Sequence, residues 1–344
     1  MSEQGSGGYV PTRPAWSTTR DRSAPAEATA DRAPTRVDTS PPVPAVVQIP
    51  DAAPPVVLAR PRFAQLTYTA FAVTGSVRGA GSGGWQVKQE SGEPDARERE
   101  VMSREVVTGL RLVTPPPRFP SRDEIESLPR RLAFRRTPVG DVWCHAVPAG
   151  NDVTGRPNNV FSHVLLDRSS VRPNDGPDTA GAAGSAASPA ATSDERAIQL
   201  WRGERWLTPY GADEVQEAVL AEEPRPGEWF SLRALAEFLF DLEAGRFSVM
   251  GLLLDAVAAA LAGGPPVVLA APTPDEGAWW IALVQRLTSP TVAGRVSFST
   301  FDRLDAVSTG GTDRLLTVVP DTDVETTSLG ARPLVLIDHR DDPQ

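Results

Sequence analysis

Lysine is almost missing from this chain: Lys88 stands alone against 33 arginines among 344 residues. A nucleotide phosphate loop of the G-x-x-x-x-G-K-[ST] type needs lysine directly after its second glycine, and Lys88 follows Val87 instead. The scarcity therefore excludes a P-loop NTPase. It also confines any Schiff-base or kinase-type lysine to this one position. Cysteine is equally sparse. Cys144 has no second thiol to pair with and cannot build a zinc site by itself. No apolar run approaches 18 residues, and the N-terminus lacks a charged start followed by an apolar core, so a cytoplasmic protein without membrane insertion is expected. The net charge of -10 and pI of about 5.0 argue against a nucleic-acid partner or an anionic membrane surface.

Proline and glycine, 34 and 28 residues, are unevenly spread. Residues 1–60 combine Pro, Ala, Ser, Thr and Arg with few aromatics, a composition that cannot offset the entropy of ordering. A disordered tail is expected there, with order beginning near Arg62. A second low-complexity stretch, 169–196, reads as a loop interrupting a module. Between them the pattern predicts an α+β module over 61–225, mostly antiparallel strands with short helices. Residues 226–344 predict an α/β module with helices packed on a small parallel or mixed sheet.

The glycine run VRGAGSGGWQVK contains G-x-G-x-x-G at Gly79, Gly81 and Gly84. A dinucleotide fingerprint requires a helix to start at the third glycine, because its N-terminus receives the pyrophosphate. Here Trp85 to Glu90 alternates with period two, so the run reads as a connection between the strand Phe63–Val73 and a second strand. Val101 to Val113 reads as a third. Ser121 and Glu124 form a capping box for a short helix. Arg130–Trp143 and Val160–Asp167 read as strands, and Gly211–Glu222 as a helix. In the second module, Ser231 caps a helix closed by Gly245, followed by a helix over Ser248–Leu261. PVVLAA at Pro266–Ala271 reads as a strand buried on both faces, next to a helix bearing Trp279 and Trp280. Arg295–Phe301, Leu315–Val319 and Pro333–Ile337 complete the strands, and the first of these forms a parallel β-α-β unit with Pro266–Ala271.

Polar residues are densest over WCHAVPAGNDVTGRPNNVFSHVLLD, which holds His145 and His163. Two imidazoles on neighbouring strands can act as acid and base, with Arg156 and Asn159 beside them, and these four are the candidate catalytic residues. Hydrogen-bonded strand histidines are the simpler reading. No third ligand stands at metal-binding spacing, so no metal is expected. Cys144 and His145 are adjacent, point to opposite faces and cannot form a dyad. Arg118, Arg122, Arg130, Arg131, Arg135 and Arg136 form a local basic cluster able to hold phosphate, or else a solvated face that balances Asp123, Glu124 and Glu126.

The ordered blocks LTYTAF…GSGGWQVK, FPSRDEIESLPRRLAF, HAVPAG…TGRPNNVFSHVLLDR and LWRGERWLTPYGADEV resemble the N-terminal (type 2) module of the bacterial GTPase-associated protein family. LAEFLFDLE…PVVLAAPTPDEGAWWIALVQRLTSPTVAGRVSFSTFDR is similar to that family's middle module. By position the shared block falls on His145, Pro148, Gly150, Gly155, Arg156, Asn159, Phe161 and His163, and carries no catalytic role. The resemblance implies an adaptor or regulator that works beside a separate GTPase, with other proteins of an actinobacterial conflict or signalling system, and without a cofactor. Two alternatives stand beside it: an enzyme with its site around His145, Arg156, Asn159 and His163, and a nucleotide sensor using the arginine cluster between Arg118 and Arg136.

Overall fold

The computed structural model describes residues 60–72, 83–170, 195–241, 244–311, 313–327 and 333–340. The expected disordered tail, Gly79 and Gly81, and most of the 169–196 loop lie outside them. The alternating segments form β1 (Phe63–Ala72), β2 (Gly83–Ser91), β3 (Arg131–Thr137), β4 (Gly140–Gly150) and β5 (Asn159–Asp167). All pair antiparallel in the order β2-β1-β5-β4-β3. Gly84 enters a strand and not a helix, as period two requires. The later apolar segments form β6 (Val267–Ala271), β7 (Phe298–Ser299), β8 (Leu316–Pro320) and β9 (Val335–Asp338), paired parallel in the order β7-β8-β6-β9. β6 and β7 run in the same direction, but β8 lies between them.

Among the described residues both sets belong to one nine-stranded sheet. β3 pairs antiparallel with β7 through Ala133↔Ser299 and Phe134↔Phe298, so residues before and after position 226 share a single hydrogen-bonded layer. The architecture is α+β, antiparallel in its first half and parallel in its second.

Two helix readings need correction. Val101–Val113 is not a strand: α1 spans Ala96–Glu105 and the chain is irregular after it. Asp95 accepts a hydrogen bond from the Glu98 amide while the Glu98 carboxylate accepts from the Asp95 amide, a capping box that starts the helix ahead of Val101. Helical spacing then buries Glu98, Met102 and Glu105 together. The second correction concerns Gly245. It adopts φ 61°, costly for a residue with a Cβ, and stands as the N-cap of the following helix instead of closing the preceding one.

The remaining helices among the described residues are α2 (Arg122–Ser127), α3 (Gly211–Glu217), α4 (Leu232–Leu239), α5 (Arg246–Leu261), α6 (Pro274–Leu287), α7 (Pro290–Ala293), α8 (Leu304–Ser308) and α9 (Asp321–Thr326). Side-chain caps from Ser121, Ser231, Thr273 and Ser289 start four of them. α4, α5 and α6 cover one face, where Trp201, Trp206 and Trp280 pack with Leu132, Phe134, Trp143, Leu269 and Val318. α6 approaches β8 so closely that a Cβ at Gly277 would collide with Val318. On the opposite face Met102 of α1 joins Leu66, Val142, Cys144 and Val164. Further along that face, α8 and α9 cover Val268, Ala270 and Val319.

Charge also joins the halves. Glu105 at the end of α1 pairs with Arg314, just before β8, and with Arg135 of β3 at 3.3 Å. Arg131 of β3 meets Asp302, which follows β7, at 3.3 Å. Removing one member of a buried pair strands its partner's charge, at a cost of about 3–5 kcal/mol. Glu105→Gln is therefore expected to lower unfolding stability in urea by about 3 kcal/mol. Glu100→Gln, which breaks an exposed pair with Arg104, should cost less than about 0.5 kcal/mol. Equal, small effects from the two variants would contradict this assignment.

Candidate functional site

β4 and β5 place His145 directly opposite His163 on the helix-covered face of the sheet. Trp206 closes over both rings, its centroid 5.1 Å from His145 and 5.0 Å from His163. Both histidines are about 1% exposed. The Leu207 amide donates to His163 Nδ1 at 3.3 Å, so that nitrogen is the acceptor. Nε2 then carries the proton and donates to Gln65 Oε1 at 2.9 Å. His145 makes no hydrogen bond through either ring nitrogen among the described residues.

Burial disfavours the charged imidazolium and pushes His163 down to about 3. Burial, followed by Arg130, His163 and Arg202, holds His145 well below the usual imidazole range. Both rings are neutral near pH 7. The pair is set side by side, as an acid and base would need, but under an indole in the core, and neither ring lines either of the cavities described below.

The other two candidates diverge from it. Asn159 is buried at the start of β5, where its amide bonds the β1 backbone: Nδ2 donates to the Ala70 carbonyl at 3.1 Å, and Oδ1 accepts from the Ala70 amide and Thr69 hydroxyl, both at 3.3 Å. The side chain continues the β1–β5 ladder beyond Tyr68↔Ser162. Arg156 lies in the exposed 151–158 turn, organised by the Asp152 carboxylate, which accepts from the Thr154 and Arg156 amides at 2.8 and 2.9 Å. Cys144 points to the opposite face, and burial raises its thiol to about 11, which keeps it protonated and unreactive.

The six arginines do not converge on one point. Arg118 rests on the Phe119 ring, and Arg122 lies over Tyr210 while pairing with Glu126 and Glu214. Arg131 and Arg135 take part in the ion cluster between the sheet halves, and Arg136 pairs with Asp141 at 2.7 Å. Arg130 is half-buried, and burial, then Arg202, lowers its pKa.

Two surfaces emerge that residue patterns did not mark. One is the outer side of α4 and α5. α5 is apolar nearly all round, and a helix of that kind is ordinarily covered on every side. Here Phe247, Gly251, Leu252, Ala258 and Ala259 face solvent, and Phe240 stacks on Phe247 with the rings 60% and 65% exposed. Asp255 sits exposed in the middle of this face. The other is a cleft of about 300 Å³ at the carboxyl ends of β6 and β8. A small neighbouring cavity of about 20 Å³, bounded in part by Leu112, Leu128 and Asn159, has room for a single water.

Comparison with known proteins places this fold in a family. Residues 62–226 match the model of GTPase-associated protein 1, N-terminal domain type 2, and residues 235–340 match that of GTPase-associated protein 1, middle domain. The chain belongs to the GTPase-associated protein family and carries its N-terminal type 2 and middle domains. It is similar to two proteins named SaeB, after ESX-1 scaffolding and assembly, from Mycolicibacterium smegmatis strains MKD8 and ATCC 700084 / mc(2)155. Each is 43% identical over 273 residues, which covers 78% of this chain and 30% of the relative. The chain thus spans about a third of the length of these relatives. No solved structure matches it. Among the described residues no helix is long and apolar enough to cross a membrane.

The buried imidazoles set a pH dependence. An unfolded histidine titrates near 6.5, so below that pH the unfolded chain binds protons that the native pair refuses. Stability is therefore complete above about pH 6.5 and is lost as pH falls toward the native values. Between pH 7.5 and 5 each histidine is expected to cost about 2 kcal/mol, read from urea midpoints. His163→Gln should flatten the slope; an unchanged slope would show that these rings do not cause it.

Proposed function

We propose that the chain is an adaptor that works beside a separate GTPase, within a bacterial conflict or signalling system in the cytoplasm. The observation that carries this reading is the exposed apolar face of α4 and α5, on a chain whose two matched domains both belong to a GTPase-associated family. Exposed apolar side chains clustered on one face of a folded protein, here around the charge of Asp255, mark a contact site for another molecule. Stacked, exposed Phe240 and Phe247 supply the aromatic anchors typical of energetic centres in protein interfaces. The scaffolding named for the mycobacterial relatives agrees with this reading.

Catalysis on GTP would belong to the partner. The chain's single lysine does not stand in a phosphate loop, and the glycine-rich run ends in β2. The buried ring pair acts in folding, while recognition falls to the open helical face.

The test is purification of the tagged protein from its native host in GDP or in a non-hydrolysable GTP analogue. A GTPase that co-purifies, in amounts that differ between the two nucleotides, is the expected outcome. Phe247→Glu should reduce its recovery at least tenfold while leaving the urea midpoint nearly unchanged, because the ring is already in water. Recovery of no GTPase in either nucleotide would contradict the proposal.

A further inference from the structure

The cleft at the ends of β6 and β8 lies where the direction of the chain reverses across the sheet. From β6 the chain enters α6, which packs on the face carrying Leu269, Val318 and Trp280. From β8 it enters α9, whose Val324 packs on the opposite face with Val268 and Val319. β6 and β8 are parallel neighbours, so their carboxyl ends diverge to opposite sides and leave a crevice between the two turns. In open parallel sheets such a crevice is the usual place for a ligand. Its volume of about 300 Å³ falls at the lower end of the range for small-molecule sites.

The walls are the 271–274 and 318–322 turns together with Phe301, and the segments 112–114 and 128–129 close the cleft from the N-terminal domain. Arg303 holds this cover in place, donating to the Leu112 carbonyl at 3.1 Å while its guanidinium clasps buried Asp323.

The chemistry of the lining selects the ligand. Among the described residues no arginine, lysine or histidine lines the cleft. The N-terminus of α6 opens beside it, but its donors are already committed. Pro274 has no N–H, the Glu276 amide donates to Thr273 Oγ1 at 3.1 Å, and the Gly277 amide donates to the Thr273 carbonyl at 3.0 Å. Phosphate and carboxylate therefore find no counter-charge and few free donors. Asp321 is the one charged residue of the lining among the described residues; it is half-buried, accepts from the Thr322 amide at 2.7 Å and makes no ion pair within 4 Å there. It interacts at longer range with Arg340, which lies outside the lining and pairs with Asp338 at 2.7 Å. Hydroxyls of Thr114, Thr273 and Thr322 supply the remaining polarity in an otherwise aliphatic and proline-rich wall.

We infer that this cleft binds a small organic cation, with an apolar body against Phe301, Val318 and the prolines and an ammonium group on the Asp321 carboxylate. The inference is independent of the adaptor reading, because the cleft shares no residue with the face of α4 and α5.

The experiment uses the full chain and two probes of the same body and opposite charge, 4-phenylbutylamine and 4-phenylbutanoate, with binding followed by saturation-transfer NMR and titration. The amine is expected to bind and the carboxylate not. Asp321→Asn should weaken the amine about tenfold, the usual loss for one charge-assisted contact. Thr322→Trp, at an exposed rim position that folding does not depend on, should block it. Absence of amine binding would overturn the inference. So would equal binding of the two probes, or amine binding that survives both variants and therefore belongs to the acidic surface at large.

Discussion

The rest of the structure depends on the short pairing between β3 and β7. Two residue pairs, Ala133↔Ser299 and Phe134↔Phe298, connect an antiparallel sheet of five strands to a parallel sheet of four. So short a ladder does not hold by backbone bonds alone. The Phe134 and Phe298 rings meet at a tilt with centroids 5.6 Å apart on one face, while on the other the carboxylates of Glu105, Asp302 and Asp313 pair with Arg314, Arg135 and Arg131. The apolar contact supplies most of the stabilisation. The Arg131–Asp302 pair supplies register, because Arg131 loses this counter-charge if β7 slips.

From that joint follow the surfaces on which the proposals rest. On one face of the continuous sheet Trp201 and Trp206 share a core with residues of α4, α5 and α6, and Trp206 covers the His145–His163 pair. It also brings the 112–114 segment of the first domain over the strand ends of the second, which creates the cleft. What the fold leaves uncovered is the outer side of α5, the feature on which the proposed adaptor role rests.

Much of this was legible in the sequence. Period-two alternation located β1 and β2, the apolar run VFSHVLLD located β5, and the Ser121–Glu124 box located α2 because a cap is a local interaction written in four residues. The same kind of signal, Asp95 with Glu98, stands ahead of α1, whereas the alternation over Val101–Val113 points to a strand that the structure does not form. The histidine pair was visible as two strand residues. Its burial was not, because Trp206 arrives from a segment more than 40 residues further along. The arginine cluster was dense in sequence and dispersed in space, since its members lie on α2, on both faces of β3 and in the adjoining turns. The cleft depends on the order β7-β8-β6-β9, and no local pattern encodes strand order.

The central claim is that the two matched domains form one folding unit joined at β3 and β7. Native-state hydrogen exchange across increasing urea tests it most directly, with amides of β3, β7 and β8 followed together. A shared opening free energy, converging with that of β4 and β5, is the predicted result. Exchange of β6, β8 and β9 at a distinctly lower free energy, while β1, β4 and β5 remain protected, would show two independent units and contradict the account.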